Sequence, residues 1–245
     1  MKIAEGLEVL EIHNDPNDYA AIFRPTLIWD DDNVILVDAG LPGQFQNIRE
    51  EMEKAGVPFE KLSKVIITHH DTDHLGSLSA VVKASKHKVE VLAHEGEKPY
   101  IQGEKTPIKM TAQRIAEIEA LPEEEKNVIK GMYASLATKV DTLVEDGEEL
   151  PYCGGIIVIH TPGHTPGHIC LYLKKYKALI TGDEFNVADG QLYGPNPLYT
   201  FNLEEAISSI SKLSKYDIQT VLCYHGGVFN KDANARIAEL ANNEK

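Results

Sequence analysis

The chain has little cysteine, no long apolar run and no excess of positive charge, and each lack removes a class of protein. Three cysteines in 245 residues, Cys153, Cys170 and Cys223, form an odd set without Cys-x-x-Cys spacing. That excludes a disulfide framework and points to reduced, structural thiols. No apolar stretch approaches the roughly 20 residues that a membrane-spanning helix needs. Glu5, Glu8 and Glu11 interrupt Met1 to Ile12 and leave no signal-peptide core. A cytoplasmic protein with no membrane partner is expected. Lys and Arg number 24 against 38 Asp and Glu, a net charge of −14. This is the wrong sign for a surface that neutralises phosphate backbones, so nucleic acid is not an expected partner either. Long charged or Gly/Ser-rich linkers and short tandem repeats are also missing, and 42% hydrophobic content suffices for one large core. The expectation is a single domain over residues 1–245.

What the chain does have is histidine, 10 in all, with several placed just after strand-like runs. The apolar Val65-Ile66-Ile67 leads into Thr68-His69-His70-Asp71-Thr72-Asp73-His74. Imidazoles and carboxylates beside a core lose hydration unless they are paired or coordinate an ion. The bland alternative is a solvated loop rich in His and Asp. In an extended stretch, His69, Asp71 and Asp73 would point the same way, with His70 and Thr72 facing away, and His74 would need the chain to turn. Three more strand-like runs end similarly: Ile156 to Ile159 before Pro162-Gly163-His164, Ala178 to Ile180 before Gly182-Asp183, and Thr220 to Cys223 before His225-Gly226. Loops at strand ends on a rigid scaffold are where sites are usually built.

Taken together, these residues resemble the metallo-β-lactamase-fold superfamily of metallohydrolases, whose five motifs occur here in order at Asp38, Thr68 to His74, His164, Asp183 and His225. The resemblance implies an α/β (α+β) fold, a four-layer αββα sandwich of two mixed β-sheets flanked by helices. Two strand-rich halves closed by helices, read from the apolar patterning, suit it. It also implies two divalent metal ions, one held by His69, Asp71 and His164, the other by Asp73, His74 and His225, with Asp183 bridging and Asp38 in structural support. Asp71 departs from the pattern, standing where most members have His. Its extra carboxylate makes iron or manganese a rival to zinc, the first choice.

The implied activity is that of a metal-dependent hydrolase. It would cleave a small ester, thioester or lactone by attack of a metal-bound hydroxide, with Asp73 both ligand and proton acceptor. Members that open lactones commonly carry Tyr three residues after the bridging Asp, where this chain has Asn186. One alternative is a glyoxalase II-like thioesterase, although its glutathione-binding helical region is not evident. Another is a non-hydrolytic diiron redox protein related to flavodiiron metal domains, although no flavin domain follows. A metal-free binding module is disfavoured because every ligand position is retained. Between the halves, about residues 95–139 read as a charged helical insert. Ile108, Met110, Ile115, Ile118, Met132, Tyr133 and Leu136 are expected as its core, and a lid over the metals is its functional alternative. In the loop after Asp183, Tyr193 and Tyr199 are candidates for substrate contact. His168 reads as a structural neighbour of the site, and His13, His87 and His94 as ordinary surface or core residues.

Overall fold

The structure is a computed structural model that describes residues 1–14 and 22–242. Val34–Val37 is apolar throughout and wholly buried, and it sits mid-sheet between Thr26–Trp29 and Lys64–Ile66. Its neighbour on the first side is antiparallel, on the second parallel. Lys2–Ala4 and Leu7–Val9 extend the sheet beyond Thr26–Trp29, and Glu90–His94 and Thr142–Val144 extend it beyond Lys64–Ile66. A second sheet orders Glu149–Leu150, Ile156–His160, Ile169–Leu173, Ala178–Ile180, Thr220–Cys223 and Gly227–Phe229. Within it only Ala178–Ile180 and Thr220–Cys223 run parallel.

Period-two alternation assigns each strand's two faces to different cores. Ile35 and Val37 face the second sheet, against Val158, Leu171 and Ile180. Leu36 faces outward against Ile48 and Met52 of the helix Phe45–Lys54 and against Leu78 and Val81 of Leu78–Ala84. On the far side, Ile159, Leu179 and Val221 pack under Ile210 and Leu213 of the helix Leu203–Leu213 and Ile237 of Ala233–Asn242. These layers form the αββα sandwich expected from the sequence.

Strand-like patterning in the sequence favours continuous strands over residues 7–13 and 20–29, and both break in the structure. Residues 7–13 divide into Leu7–Val9 and Ile12–His13, which belong to different sheets. The expected strand from Ala20 to Trp29 begins outside the described residues and continues as Ile22–Phe23 and Thr26–Trp29. Between these two lies Pro25, which has no N–H for a ladder. The three cysteines are free and buried.

The insert's apolar residues form the expected core only in part. Of the seven, only Ile118 and Leu136 are buried; Ile115 is exposed and the other four are partly so. The helices Ala112–Glu119 and Glu123–Leu136 pack on each other, and the second also packs on Leu78–Ala84, where Leu136 and Tyr133 join the outer core.

Candidate metal centre

The parallel strands Val34–Val37 and Lys64–Ile66, and the parallel pair in the second sheet, bring Asp38, His69, Asp183 and His225 to one end of the sandwich, since each follows its strand's C-terminal end. Asp38 adopts φ 63°, a conformation Asp tolerates better than most residues. Its buried carboxylate accepts from the Thr68 amide and hydroxyl, both at 2.8 Å, and from His74 Nδ1 at 2.9 Å. That last bond fixes the His74 tautomer and turns Nε2 toward the centre. Asp38 therefore joins two parts of the second motif without entering the cluster.

The chain turns earlier than an extended reading of Thr68 to His74 requires. The strand stops at Ile66, and Thr72–Leu75 forms a helical turn that begins directly after Asp71. His69, Asp71 and Asp73 consequently do not converge on one point. Asp71 joins His69, His164 and Asp183 in one group, and Asp73 joins His74 and His225 in another. His69 Nε2 lies 3.2 Å from Asp71 Oδ2, and His164 Nε2 lies 2.9 Å from the same oxygen. His225 Nε2 lies 3.2 Å from Asp73 Oδ2.

Asp183 spans the groups with a different oxygen on each. Its Oδ1 is 3.1 Å from His74 Nε2 and 3.3 Å from His225 Nε2, while Oδ2 is 3.4 Å from His164 Nε2. The turn before it depends on Gly182 at φ +48°, where a Cβ would stand 2.7 Å from His168 Nε2. His168 Nε2 accepts from the Asp183 amide, and its Nδ1 pairs with the Thr161 hydroxyl. Burial holds the His168 ring down at about 3, so it stays neutral and able to accept. The same economy of space governs His164. Gly163, at φ +137°, lies against Ala206 so closely that a Cβ would sit 2.1 Å from its amide nitrogen.

Electrostatics push these groups apart. Burial, reinforced by the neighbouring His74, pushes His69 well below the usual imidazole range. Burial opposes charge on His74 too, but Asp183, Asp73 and Asp38 outweigh it and raise it well above that range. Burial likewise opposes ionisation of Asp71 and Asp183. The surrounding imidazoles overcome it and hold both carboxyls well below their ordinary values.

Against the pull of burial, the Asp183 carboxylate raises His225 to about 9. In protein stripped by a chelator, His225 thus keeps its proton to about pH 9 when folded but only to roughly 6.5 when unfolded. Its contribution to stability is full below roughly 6.5 and is lost as pH rises through 9. A metal needs the neutral ring. Metal loading at pH 7 is therefore expected to release protons, and apparent affinity is expected to rise toward pH 9. Calorimetric titration in buffers of different ionisation enthalpy checks this, and proton-free binding would contradict it.

The residues fit a pair of cations on two observations. His69 Nε2, His74 Nε2 and Asp183 Oδ1 face the cluster and are buried without a hydrogen-bond partner, a costly arrangement unless an ion completes it. A cation already sits at one corner, because the Lys109 ammonium pairs with Asp71 Oδ2 and lies 3.0 Å from His164 Nε2. All seven expected ligand side chains are thus brought together.

Other expectations divide. His70 stays out of both metal groups, its ring nitrogens engaged by Glu97 and the Ile108 amide, although it borders the cavity over the cluster. Tyr199 lines the cavity of about 810 Å³ over the cluster, but Tyr193 does not; it ends the hairpin strand Gln191–Tyr193. Two residues escaped the sequence reading. Lys109 comes from the insert, and only the surplus charge of Asp71 could have signalled a cation opposite it. Glu97 is wholly buried and accepts from the His70 amide at 2.8 Å, Thr165 Oγ1 at 2.8 Å and the Gly167 amide at 2.6 Å. It also pairs with His70 Nδ1, whose Nε2 accepts from the Ile108 amide at 3.2 Å. Partners up to 70 residues away leave no local pattern.

Comparison with known proteins places this arrangement. A sequence family described as the Metallo-beta-lactamase superfamily matches residues 25–225. The probable metallo-hydrolase YflN of Bacillus subtilis (strain 168) is 30% identical over 223 residues, covering 85% of this chain and 81% of its own. A hydroxyacylglutathione hydrolase of Enterobacter sp. (strain 638) is 26% identical over 206 residues, 82% of this chain and 61% of its own. Among solved structures, a metallo-beta-lactamase family protein from Thermus thermophilus superimposes with a TM-score of 0.74 at 22% identity, covering 99% of this chain and 80% of that one.

Proposed function

This chain belongs to the metallo-β-lactamase superfamily, and from that premise we propose that it is a di-metal hydrolase of a small ester, thioester or lactone. The observation that carries the reading is Asp183, whose two carboxylate oxygens face two separate His/Asp groups lined with buried, unpartnered ring nitrogens. His69, Asp71 and His164 would hold one ion, and Asp73, His74 and His225 the other, with Asp183 shared. Such a pair, when bound, lowers the pKa of water toward neutrality and polarises the oxygen of the bond under attack. Zinc is the proposed metal. The three carboxylates make iron or manganese its rivals, since harder ions favour oxygen ligands.

The chain's own residues then have distinct tasks. His69 and His74 are wholly buried, so they hold their positions without moving. Asp73 is a quarter exposed and lines the cavity. It would take a proton from the attacking water and return it to the departing alkoxide or thiolate. One water is added, the acyl bond breaks, and Asp73 ends as it began. Phe23 and Phe185 line the same cavity and exclude bulk water from one side. The thioester part of the reading draws support from the hydroxyacylglutathione hydrolase relative, of whose length the chain spans 61%.

Lys109 sets an expectation of its own. Its ammonium occupies the side of Asp71 and His164 that an ion would claim. Lys109→Met is therefore expected to bind the first metal equivalent about tenfold more tightly, the gain from removing a competing charge near the surface. Calorimetric titration of apo-protein measures it, and weaker binding in the variant would contradict this role.

The function is tested by elemental analysis of purified protein followed by rates on thioesters, lactones, aryl esters and phosphodiesters, with His225→Ala as control. Hydrolysis of an acyl substrate that falls steeply in the variant is expected. Rates unchanged in His225→Ala would overturn the reading. So would iron recovered without hydrolysis but with oxygen consumption in the presence of an added reductase.

A further inference from the structure

A second cavity of about 600 Å³ lies under the insert. Its walls include Leu75 and Tyr100, and from the insert's later part Ile115, Ile118, Ile129 and Leu136. It shares His70, Thr72, Pro107, Met110 and Tyr133 with the cavity over the metal cluster, so the two adjoin along common side chains. The helices above it bury only Ile118 and Leu136. Met110, Ile129 and Tyr133 are only partly covered, and Ile115 is 42% exposed, although all four border this cavity. An apolar helix face ordinarily closes onto a core; here Leu136 and Tyr133 reach the core while Ile115, Ile118 and Ile129 border a space.

Two of the ionisable groups that border it are already engaged. His70 uses Nδ1 on Glu97 and Nε2 on the Ile108 amide, and its ring stacks on Tyr100 at 4.2 Å. Glu119 pairs with Lys130 at 2.7 Å and with Lys126 at 3.6 Å. Lys105 and Thr106 also border the space, yet most of its wall is aliphatic or aromatic, so an apolar ligand gains more from burial here than a polar one.

We infer that this second cavity binds the acyl chain of the substrate, whose carbonyl end lies in the adjoining metal cavity. The inference rests on the proposed acyl-bond hydrolysis and names its substrate class as acyl esters or thioesters with an apolar tail. Met110 and Tyr133, common to both cavities, mark where the chain would pass from one to the other. Each methylene that leaves water should raise kcat/KM by about two- to fourfold until the space is filled.

Two measurements test it on the full-length protein. The first is kcat/KM of the metal-loaded enzyme on p-nitrophenyl esters from acetyl to dodecanoyl. The second is calorimetric binding of dodecanoate to Asp183→Asn, which needs no turnover. The inference expects rates that climb with chain length and saturable dodecanoate binding. It also expects Ile115→Trp, which places bulk in the second cavity from an exposed helix position, to cut both the dodecanoyl-to-acetyl ratio and dodecanoate affinity at least tenfold. Val128→Ala, at a position 68% exposed and outside both cavities, should change neither. Circular dichroism melts confirm that the variants fold. Rates flat with chain length, or dodecanoate binding absent or insensitive to Ile115→Trp, would overturn the inference. Dodecanoate binding lost in Ile115→Trp, with no ester or thioester hydrolysed by the wild type, would leave the acyl site standing and overturn the proposed reaction instead.

Discussion

Asp183→Asn is expected to lower kcat/KM on any acyl substrate by on the order of a thousandfold while leaving the protein folded. The substitution keeps shape and removes one negative charge at the point where the two His/Asp groups meet. Asp183 is the leading positive influence on His74 and the main partner of His225, with contacts of 3.1 and 3.3 Å. An amide in its place offers one oxygen where the carboxylate offers two, so it cannot face both groups as an acceptor. Loss of metal should accompany loss of rate. Steady-state kinetics and metal content on the same preparation check both. A variant that retains two metals and near-normal rates would show that the bridge is not the organising element.

Glu97→Ala is expected to destabilise the fold by about 3–5 kcal/mol, the range for breaking one side of a buried charged network. The side chain is fully buried and ties the loop bearing His69 and Asp71, through His70, to the loop bearing His164, through Thr165 and Gly167. Removing it leaves two backbone amides, a hydroxyl and an imidazole without their acceptor. Through His70 it also releases the Ile108 amide, and with it the segment that carries Lys109 to Asp71. The effect should therefore reach metal affinity as well as stability. Urea unfolding of the apo-protein gives the first and calorimetry the second. Glu97→Gln, which keeps an acceptor, should recover part of both. A loss below about 1 kcal/mol in Glu97→Ala would mean that water replaces the carboxylate at little cost.

The layered fold was legible in the sequence because runs such as Val34–Val37 and Ala178–Ile180 are apolar throughout, and because the ligand residues cluster in the loops that follow such runs. Which residues share a group was less legible. Alternation put His69, Asp71 and Asp73 on one side, but the helical turn at Thr72–Leu75 sends Asp73 and His74 to the second group. Four residues are too few for a periodic signal, so local pattern could not distinguish turn from strand. The insert misled differently. Its helices are real, yet helical spacing of apolar residues reports a face, not what the face meets. Met110 and Ile115 border a cavity where a core was expected. Glu97 and Lys109 act across 27 to 70 residues, and only tertiary structure brings such pairs together.

The central claim is that the seven side chains from His69 to His225 form one centre for two ions bridged by Asp183. Metal-to-protein stoichiometry of the wild type and Asp183→Asn, by elemental analysis of dialysed, folded protein, tests it most directly. Two equivalents in the wild type and one or none in the variant are predicted; equal stoichiometry in the two proteins, or a wild type that hydrolyses its substrate with no metal bound, would contradict it.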